Sequence, residues 1–156
     1  MLNSLIEKAR NGLNDLAINA KKYRNNDFLD ASMAASAMIA VADGTISREE
    51  KTKALNFVQS FEALQVFDPA DVGRRFKKHL DSLDSSNPDT DADIAEITAM
   101  QTIGKVKKND AQARMVVRLA IAIGGADGDF DAQERAKASQ IAKELGLDPA
   151  EFELSS

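Results

Sequence analysis

The chain has 156 residues, of which 20 are basic and 25 acidic, giving a net charge of −5. This length suits one domain with a sizeable core, and the acidic balance argues against a general binder of nucleic acid or anionic membranes, because phosphate contacts are made mainly by Lys and Arg. The absence of cysteine excludes disulfides, thiolate metal sites and thiol redox chemistry. With eight Gly and three Pro, and with Ala and Leu abundant, the composition predicts an all-α protein.

The first twenty residues predict an amphipathic helix, because their apolar side chains recur at three- and four-residue spacing. Charged residues among them, including Glu7 and Arg10, are not typical of a secretory signal, and no apolar run approaches the length of a membrane span. We therefore expect a cytoplasmic chain without direct membrane insertion, in which residues 1–25 form a helical arm. The apolar positions of this helix are Leu2, Leu5, Ile6, Ala9, Leu13, Leu16 and Ala17.

Residues 28–83 form the first predicted half of the body. A nearly continuous apolar stretch from Phe28 to Ala42 predicts a buried central helix. Ser47 and Glu50 then match a capping box, in which each side chain satisfies a free backbone N–H of the first helical turn. The predicted core face of the capped helix comprises Ala54, Leu55, Val58 and Phe61.

This half ends with another helix, which is followed by an acidic linker. Asp68 precedes Pro69, a pair that predicts an N-cap and the first helical residue. Residues 84–93, DSSNPDTDAD, are rich in turn-forming residues and acids and predict the linker. The apolar stripe of the helix between them consists of Val72, Phe76, Leu80 and Leu83.

Residues 94–154 form the second predicted half. Residues 110–126 predict a second central helix that is as apolar as the first. A shorter helix precedes it, marked by Ile94, Ile97 and either Met100 or Gln101.

The last helix repeats the capping arrangement of the first half. Asp131 and Glu134 form its predicted capping box, and Gly146 is expected to end it in the left-handed conformation. The predicted core face comprises Ala138, Ile141, Ala142 and Leu145.

Both halves follow one order: an apolar helix, an acidic loop containing Asp-Gly, a capped helix and a closing motif. The closing motifs are LQVFDPADV at 64–72 and LGLDPAEF at 145–152. This repetition predicts an internal duplication of a helix–loop–helix unit. We therefore expect one domain over residues 1–156, folded as a bundle of about seven or eight helices whose halves are related by a pseudo-twofold axis.

The two acidic loops match the second part of a calcium-binding EF-hand loop. Asp43 and Asp127 fall at its fifth position, while Glu50 and Glu134 fall at its twelfth. The first and third positions hold apolar residues or glycine, so each loop by itself is an incomplete cage. The loops read ADGTISREE at 42–50 and ADGDFDAQE at 126–134.

We hypothesise that the loops face each other and share one divalent cation, calcium or magnesium, because calcium takes six or more oxygen ligands and magnesium a near-octahedral set. Loops on opposite faces of the protein would exclude this arrangement. The candidate ligands are Asp43, Glu49, Glu50, Asp127, Asp129, Asp131 and Glu134.

A second interpretation needs no ion. A helix–turn–helix corner requires a turn glycine, an N-cap and a capping glutamate, which accounts for Gly44, Ser47 and Glu50 and for their counterparts in the second loop. It leaves Asp129 and the accumulation of acids unexplained.

The sequence gives no positive evidence of catalysis. His79, the only histidine, lies among Arg and Lys and indicates a surface or helix-end residue, because a zinc site needs further His or Cys ligands. Metal-assisted hydrolysis at the paired loops is a third hypothesis, with no nucleophile motif beside it.

The pattern ASMAASAMIAVADGTISREEKTKALNFV, followed by LQVFDPADV and by RLAIAIGGADGDFDAQERAKASQIAKELGLDPAEF, closely resembles the tellurite resistance protein TerB family. The resemblance covers most of the chain. It implies an all-helical fold with duplicated halves in a cytosolic protein encoded with the tellurite resistance system. Carried over residue by residue, the acids thought to bind a divalent cation in the family fall on Asp43, Glu50, Asp127, Asp131 and Glu134.

The resemblance also links the chain to phage inhibition, colicin resistance and complexes with membrane-bound partners of the same system. Tellurite is an oxyanion that an acidic cluster repels, and its reduction needs thiols or a redox cofactor. We therefore expect a non-enzymatic scaffold or sensor that works with partner proteins, peripheral at the inner membrane through one of them. The alternative is a metal-independent interaction module whose acids are helix caps and a docking face.

Overall fold

The computed structural model describes residues 2–126 and 130–154, and every regular element in these ranges is helical. Seven helices have ten or more residues, which agrees with the predicted all-α bundle of about seven or eight helices. Two 3-10 turns lie at Glu62–Leu64 and Pro149–Phe152. The helices are α1 (Leu2–Asn11), α2 (Asn14–Ile18), α3 (Ala20–Tyr23), α4 (Asn26–Ala40), α5 (Arg48–Ser60), α6 (Pro69–Leu83), α7 (Ala92–Gly104), α8 (Asp110–Gly124) and α9 (Ala132–Glu144).

The two central helices, α4 and α8, pack against each other in the middle of the bundle. Both consist largely of buried small and aliphatic residues, so their backbones approach closely. Helices α6 and α7 also pack on α4, and α1 packs on α8. The predicted burial of both apolar segments is therefore confirmed, whereas the internal duplication stays a prediction.

The prediction of one continuous N-terminal helix is wrong, because the structure divides this region into α1, α2 and α3. The first break falls at Gly12, where a Cβ atom would lie 2.6 Å from Cδ of Arg118. The flexible Arg118 side chain of α8 covers the backbone there and would have to move for a larger residue. Leu13 and Leu16, on either side of the start of α2, are buried. The apolar spacing therefore continues across the break, and the sequence pattern does not indicate it.

Side-chain caps begin the helices where the sequence predicts them. The Ser47 hydroxyl accepts a hydrogen bond from the backbone N–H of Glu50 at 3.1 Å, and the Glu50 carboxylate accepts one from the backbone N–H of Ser47 at 2.9 Å. Asp131 and Glu134 form the same reciprocal pair at 2.8 and 2.7 Å. Gly146 has a φ of +73°, as expected for a left-handed helix end.

The helix predicted around Ile94 and Ile97 is confirmed as α7, but these two isoleucines do not lie in the core. Ile94 and Ile97 are each 61% exposed, and the buried face is formed by Ala99, Thr102 and Ile103 instead. Apolar residues surround this helix almost evenly, so their spacing does not select a face. The choice is made by packing on α4 and α6.

The predicted core face of α5 is buried only in part. Val58 is buried, whereas Ala54, Leu55 and Phe61 are half-buried against the core. The predicted stripes of α6 and α9 are fully buried. Within residues 2–126 and 130–154, no helix combines the length and the apolar character needed to cross a bilayer.

Tyr23 should titrate far above the usual range of a tyrosine. Its ring is buried and its hydroxyl donates a hydrogen bond to Oδ2 of Asp15 at 2.7 Å. Burial and this hydrogen bond to a carboxylate raise the pKa of Tyr23 from 10.0 to about 12. The folded protein holds the proton of the Tyr23 hydroxyl more tightly than the unfolded chain does. The resulting stabilisation of the fold is complete below pH 10.0 and is lost as pH rises toward the folded-state pKa of about 12. The free energy of unfolding should fall by up to about 3 kcal/mol across this window.

Phenolate absorbance measured immediately after a pH jump tests this prediction, since Tyr23 is the only tyrosine in the chain. Asp15→Asn should lower the pKa only in part, because burial is the larger cause. A midpoint near 10 in the folded protein would contradict the buried, hydrogen-bonded hydroxyl.

Candidate functional site

The C-terminal ends of α4 and α8 open into one cleft of about 550 Å³. The loop from α4 to α5 borders one side, and Ala126 and Asp131, which flank the α8–α9 connection, border the other. Four of the seven candidate ligands, two from each half of the chain, line this cleft. They are Asp43, Glu50, Asp131 and Glu134.

The floor of the cleft is apolar. Ile39 lies at the end of α4, and Ile123 and Gly124 lie at the end of α8. Lys53 and Phe57 on α5 contribute to the wall, and neither was identified as a site residue from the sequence. Both follow Glu50 at helical spacing, three and seven residues later in the chain. This spacing is the sequence feature that could have placed them on the same helix face as Glu50.

The two loops lie together because α4 and α8 approach closely at their ends. A Cβ atom built on Gly124 would lie 2.2 Å from Cγ2 and 2.7 Å from Cβ of Ile39. Only glycine fits at this contact, which fixes the spacing between the helix ends. The loops that follow therefore begin on the same side of the bundle.

The first loop is held by backbone and side-chain hydrogen bonds. Gly44 has a φ of +101°, a left-handed conformation that favours glycine, and its carbonyl accepts a hydrogen bond from the N–H of Ser85 at 2.8 Å. The Asp43 carboxylate accepts a hydrogen bond from the N–H of Thr45 at 3.2 Å. Ile46 is buried and anchors the loop to the core. The Asp43 side chain stays exposed at the cleft.

The second loop is anchored by Phe130, whose side chain is buried immediately before the N-cap Asp131. Asp127 and Asp129, which are both candidate ligands, lie outside the described residues, as does Gly128. Glu49 is placed on the first turn of α5 with an exposed side chain, and it is not part of the described lining of the cleft.

The capping geometry favours the ionised form of Glu50. Hydrogen bonds from the backbone N–H and the side chain of Ser47 lower the pKa of the Glu50 carboxyl below its ordinary value, against a smaller opposing effect of burial. A carboxylate can accept about four hydrogen bonds or metal contacts, so a helix cap uses only part of its capacity. Glu50 therefore carries its negative charge at neutral pH and also lines the cleft.

The donor set of the cleft has the chemistry of a hard-cation site, since it offers carboxylate oxygens from two sides. Within residues 2–126 and 130–154, however, no three acidic or histidine side chains are grouped closely enough to hold a metal ion. The four described carboxylates by themselves do not form a closed cage. Ligation would also need oxygens from the second loop or a movement of these side chains.

His79 makes a side-chain contact with Asp30 that the sequence did not predict. Its Nε2 atom lies 3.0 Å from Oδ1 of Asp30 on α4, and its side chain is 12% exposed. The side chain is therefore partly buried, near the end of α6. One sequence feature could have indicated this partial burial: His79 directly precedes Leu80, a buried residue of the apolar stripe of α6.

Comparison with known proteins places the chain in a family. The sequence family described as "Tellurite resistance protein TerB" matches residues 29–155. A "Tellurium resistance protein TerB" from Alcaligenes sp. is 34% identical over 110 residues, which cover 70% of this chain and 86% of that protein. No solved structure matches the chain. With a family match from α4 to the closing motif and a TerB relative that is 34% identical, the chain belongs to the TerB family of tellurite resistance proteins.

Proposed function

We propose that this protein is a non-enzymatic, cytoplasmic component of a tellurite resistance system that binds a divalent cation and acts as a scaffold or sensor for partner proteins. Family membership supports the link to tellurite resistance. The observation that supports cation binding is the shared cleft, because acidic residues from both halves line it. Calcium or magnesium is the expected ion, since both prefer oxygen ligands.

The residues that would hold the cation are Asp43 and Glu50 on one side and Asp131 and Glu134 on the other, with Asp127 and Asp129 as further candidates. When bound, the cation neutralises the acids of the cleft. It can then present open coordination positions to an anionic group of a partner, which the acids alone would repel.

The alternative is an interaction module that needs no cation. Glu50 and Glu134 are both engaged in capping boxes, which gives them a role in folding without an ion. In that case the acids contribute caps and a charged docking face. The two proposals differ in the response of the folded protein to cations.

Thermal melting of chelator-stripped protein, titrated with calcium, magnesium, manganese and zinc, separates the proposals. At a cation concentration about 100 times the dissociation constant, binding to the folded state contributes about 2.7 kcal/mol. For a protein of this size the melting temperature should then rise by about 5–10 °C. The rise should saturate for the cation that the site prefers.

Glu50→Gln/Glu134→Gln is the matched variant, since glutamine also serves in a capping box while the two charges are removed. It should lower the melting temperature of the stripped protein only slightly, because neutral caps are somewhat weaker than charged ones, and it should lose most of the rise with cation. Glu49→Gln, outside the described cleft lining, should keep the full rise. The absence of a rise with any cation, or an undiminished rise in the double variant, would reject cation binding at this cleft.

A further inference from the structure

Helix α7 presents an unpartnered apolar stripe to the surface. Ile94 and Ile97 are 61% exposed, and with Ile18 they are the most exposed large apolar side chains in the described part of the chain. Met100 beside them is only half-buried, and it lines a shallow groove between α7 and α9. Three neighbouring apolar side chains on one helix are a larger patch than the scattered exposed residues of an ordinary surface.

The charges along α7 are separated by sign. Its N-terminal end carries the exposed acids Asp89, Asp91 and Asp93, and its C-terminal end carries the exposed bases Lys105 and Lys107. Neither group takes part in the ion pairs found among residues 2–126 and 130–154.

The neighbouring charged residues of α7 and α9 largely preserve this separation of acids from bases. Glu96 is already paired with Lys137, while the exposed Lys143 adds a base to the groove near Met100. Glu144 is the one acid on the described basic side, next to Gly104. The outward side of α7 therefore runs from acidic through apolar to basic.

Helical spacing places these groups on one outer face. We define the α7 outer face as the exposed residues Asp91, Ile94, Ile97, Thr98, Gln101 and Lys105. Apart from Ile97 they follow alternating steps of three and four residues, the spacing of a helix–helix seam. Asp91 and Lys105 are 14 residues apart, about 21 Å along the helix axis, and their midpoint is Thr98, next to Ile97.

We propose that the α7 outer face binds a second copy of this chain, with the two α7 helices antiparallel across a twofold axis near Ile97. In that arrangement the acidic end of each helix meets the basic end of the other, and the isoleucines meet in the middle. A twofold contact pairs each patch with itself, and this face is complementary to itself only in the antiparallel orientation. The contact is small, so the dimer is weak and concentration-dependent.

Sedimentation equilibrium between about 10 μM and about 1 mM, in chelator and at low salt, tests the proposal independently of cation binding. The wild-type chain should shift from monomer to dimer across this range, and raised salt should weaken the dimer. Ile94→Gln/Ile97→Gln should weaken it by at least about tenfold. Both side chains are exposed, so this variant should melt as the wild type does.

Charge reversal tests the orientation. Asp91→Asn, which keeps a capping side chain, controls for the loss of the N-cap of α7. Asp91→Lys and Lys105→Glu should each weaken self-association by about tenfold or more, because each homodimer then contains two like-charge contacts. An equimolar mixture of the two variants should recover a dimer, since the mixed pair again has two attractive contacts. A wild-type chain that stays monomeric to about 1 mM would overturn the proposal, and so would a mixture that fails to recover dimer.

Discussion

Phe28→Ala is expected to lower the free energy of unfolding by about 3–5 kcal/mol, which is a large part of the stability of a domain of this size. Phe28 lies in the first turn of α4 and is 0% exposed. Its ring contacts Tyr23 at a centroid distance of 5.2 Å and Phe67 at 6.2 Å, so it joins the N-terminal segment to the connection between α5 and α6. Chemical denaturation of wild type and variant measures the loss.

Phe28→Leu is the control, because it keeps much of the buried volume and should cost less than half as much. The cleft lies at the opposite end of α4, about 18 Å from Phe28. Any cation response of the folded variant should therefore be unchanged. A loss below about 1 kcal/mol for Phe28→Ala would contradict close packing at this position.

Gly124→Ala is expected to destabilise the protein by about 1–3 kcal/mol, although the same change inside a helix usually stabilises by up to about 1 kcal/mol. The sign reverses because the added Cβ would lie 2.2 Å from Cγ2 of Ile39. That contact includes the Cβ of Ile39 at 2.7 Å, which a rotamer change does not move. The helix ends must separate, so any cation response at the cleft should weaken as well.

Gly104→Ala is the matched control. Gly104 also ends a helix, but a Cβ atom there would lie 3.6 Å from Oε2 of Glu144, which is ordinary van der Waals contact. It should be neutral or stabilising by up to about 1 kcal/mol. In a double-mutant cycle, Ile39→Ala should reduce the cost of Gly124→Ala, because it removes the nearest atom. Equal costs for Gly104→Ala and Gly124→Ala would show that the two helix ends do not meet as described.

Helix starts could be predicted because their causes are local. A capping box joins residues three apart, so Ser47 with Glu50 and Asp131 with Glu134 are visible in the sequence. The left-handed end at Gly146 is local in the same sense. The buried stripe of α6 was also predictable, since its apolar residues occupy one side only.

Which side of a helix faces the core was not always predictable. Ile94 and Ile97 mark α7 in the sequence, but packing on α4 and α6 buries Ala99 and Ile103 instead. Periodicity selects a face only when one side is polar, and α7 has apolar residues all round. The break at Gly12 was missed because buried apolar residues such as Leu13 and Leu16 continue at helical spacing beyond it.

The sequence by itself determined the all-α class, the helix caps, the family and the identity of the acidic candidates, because composition, capping and motif spacing are properties of neighbouring residues. Only the tertiary structure decided that Asp43 and Glu50 share a cleft with Asp131 and Glu134. That proximity depends on the close approach of Gly124 to Ile39. The two residues are 85 positions apart, and contacts between distant segments follow from the packing of the whole bundle and not from any local pattern.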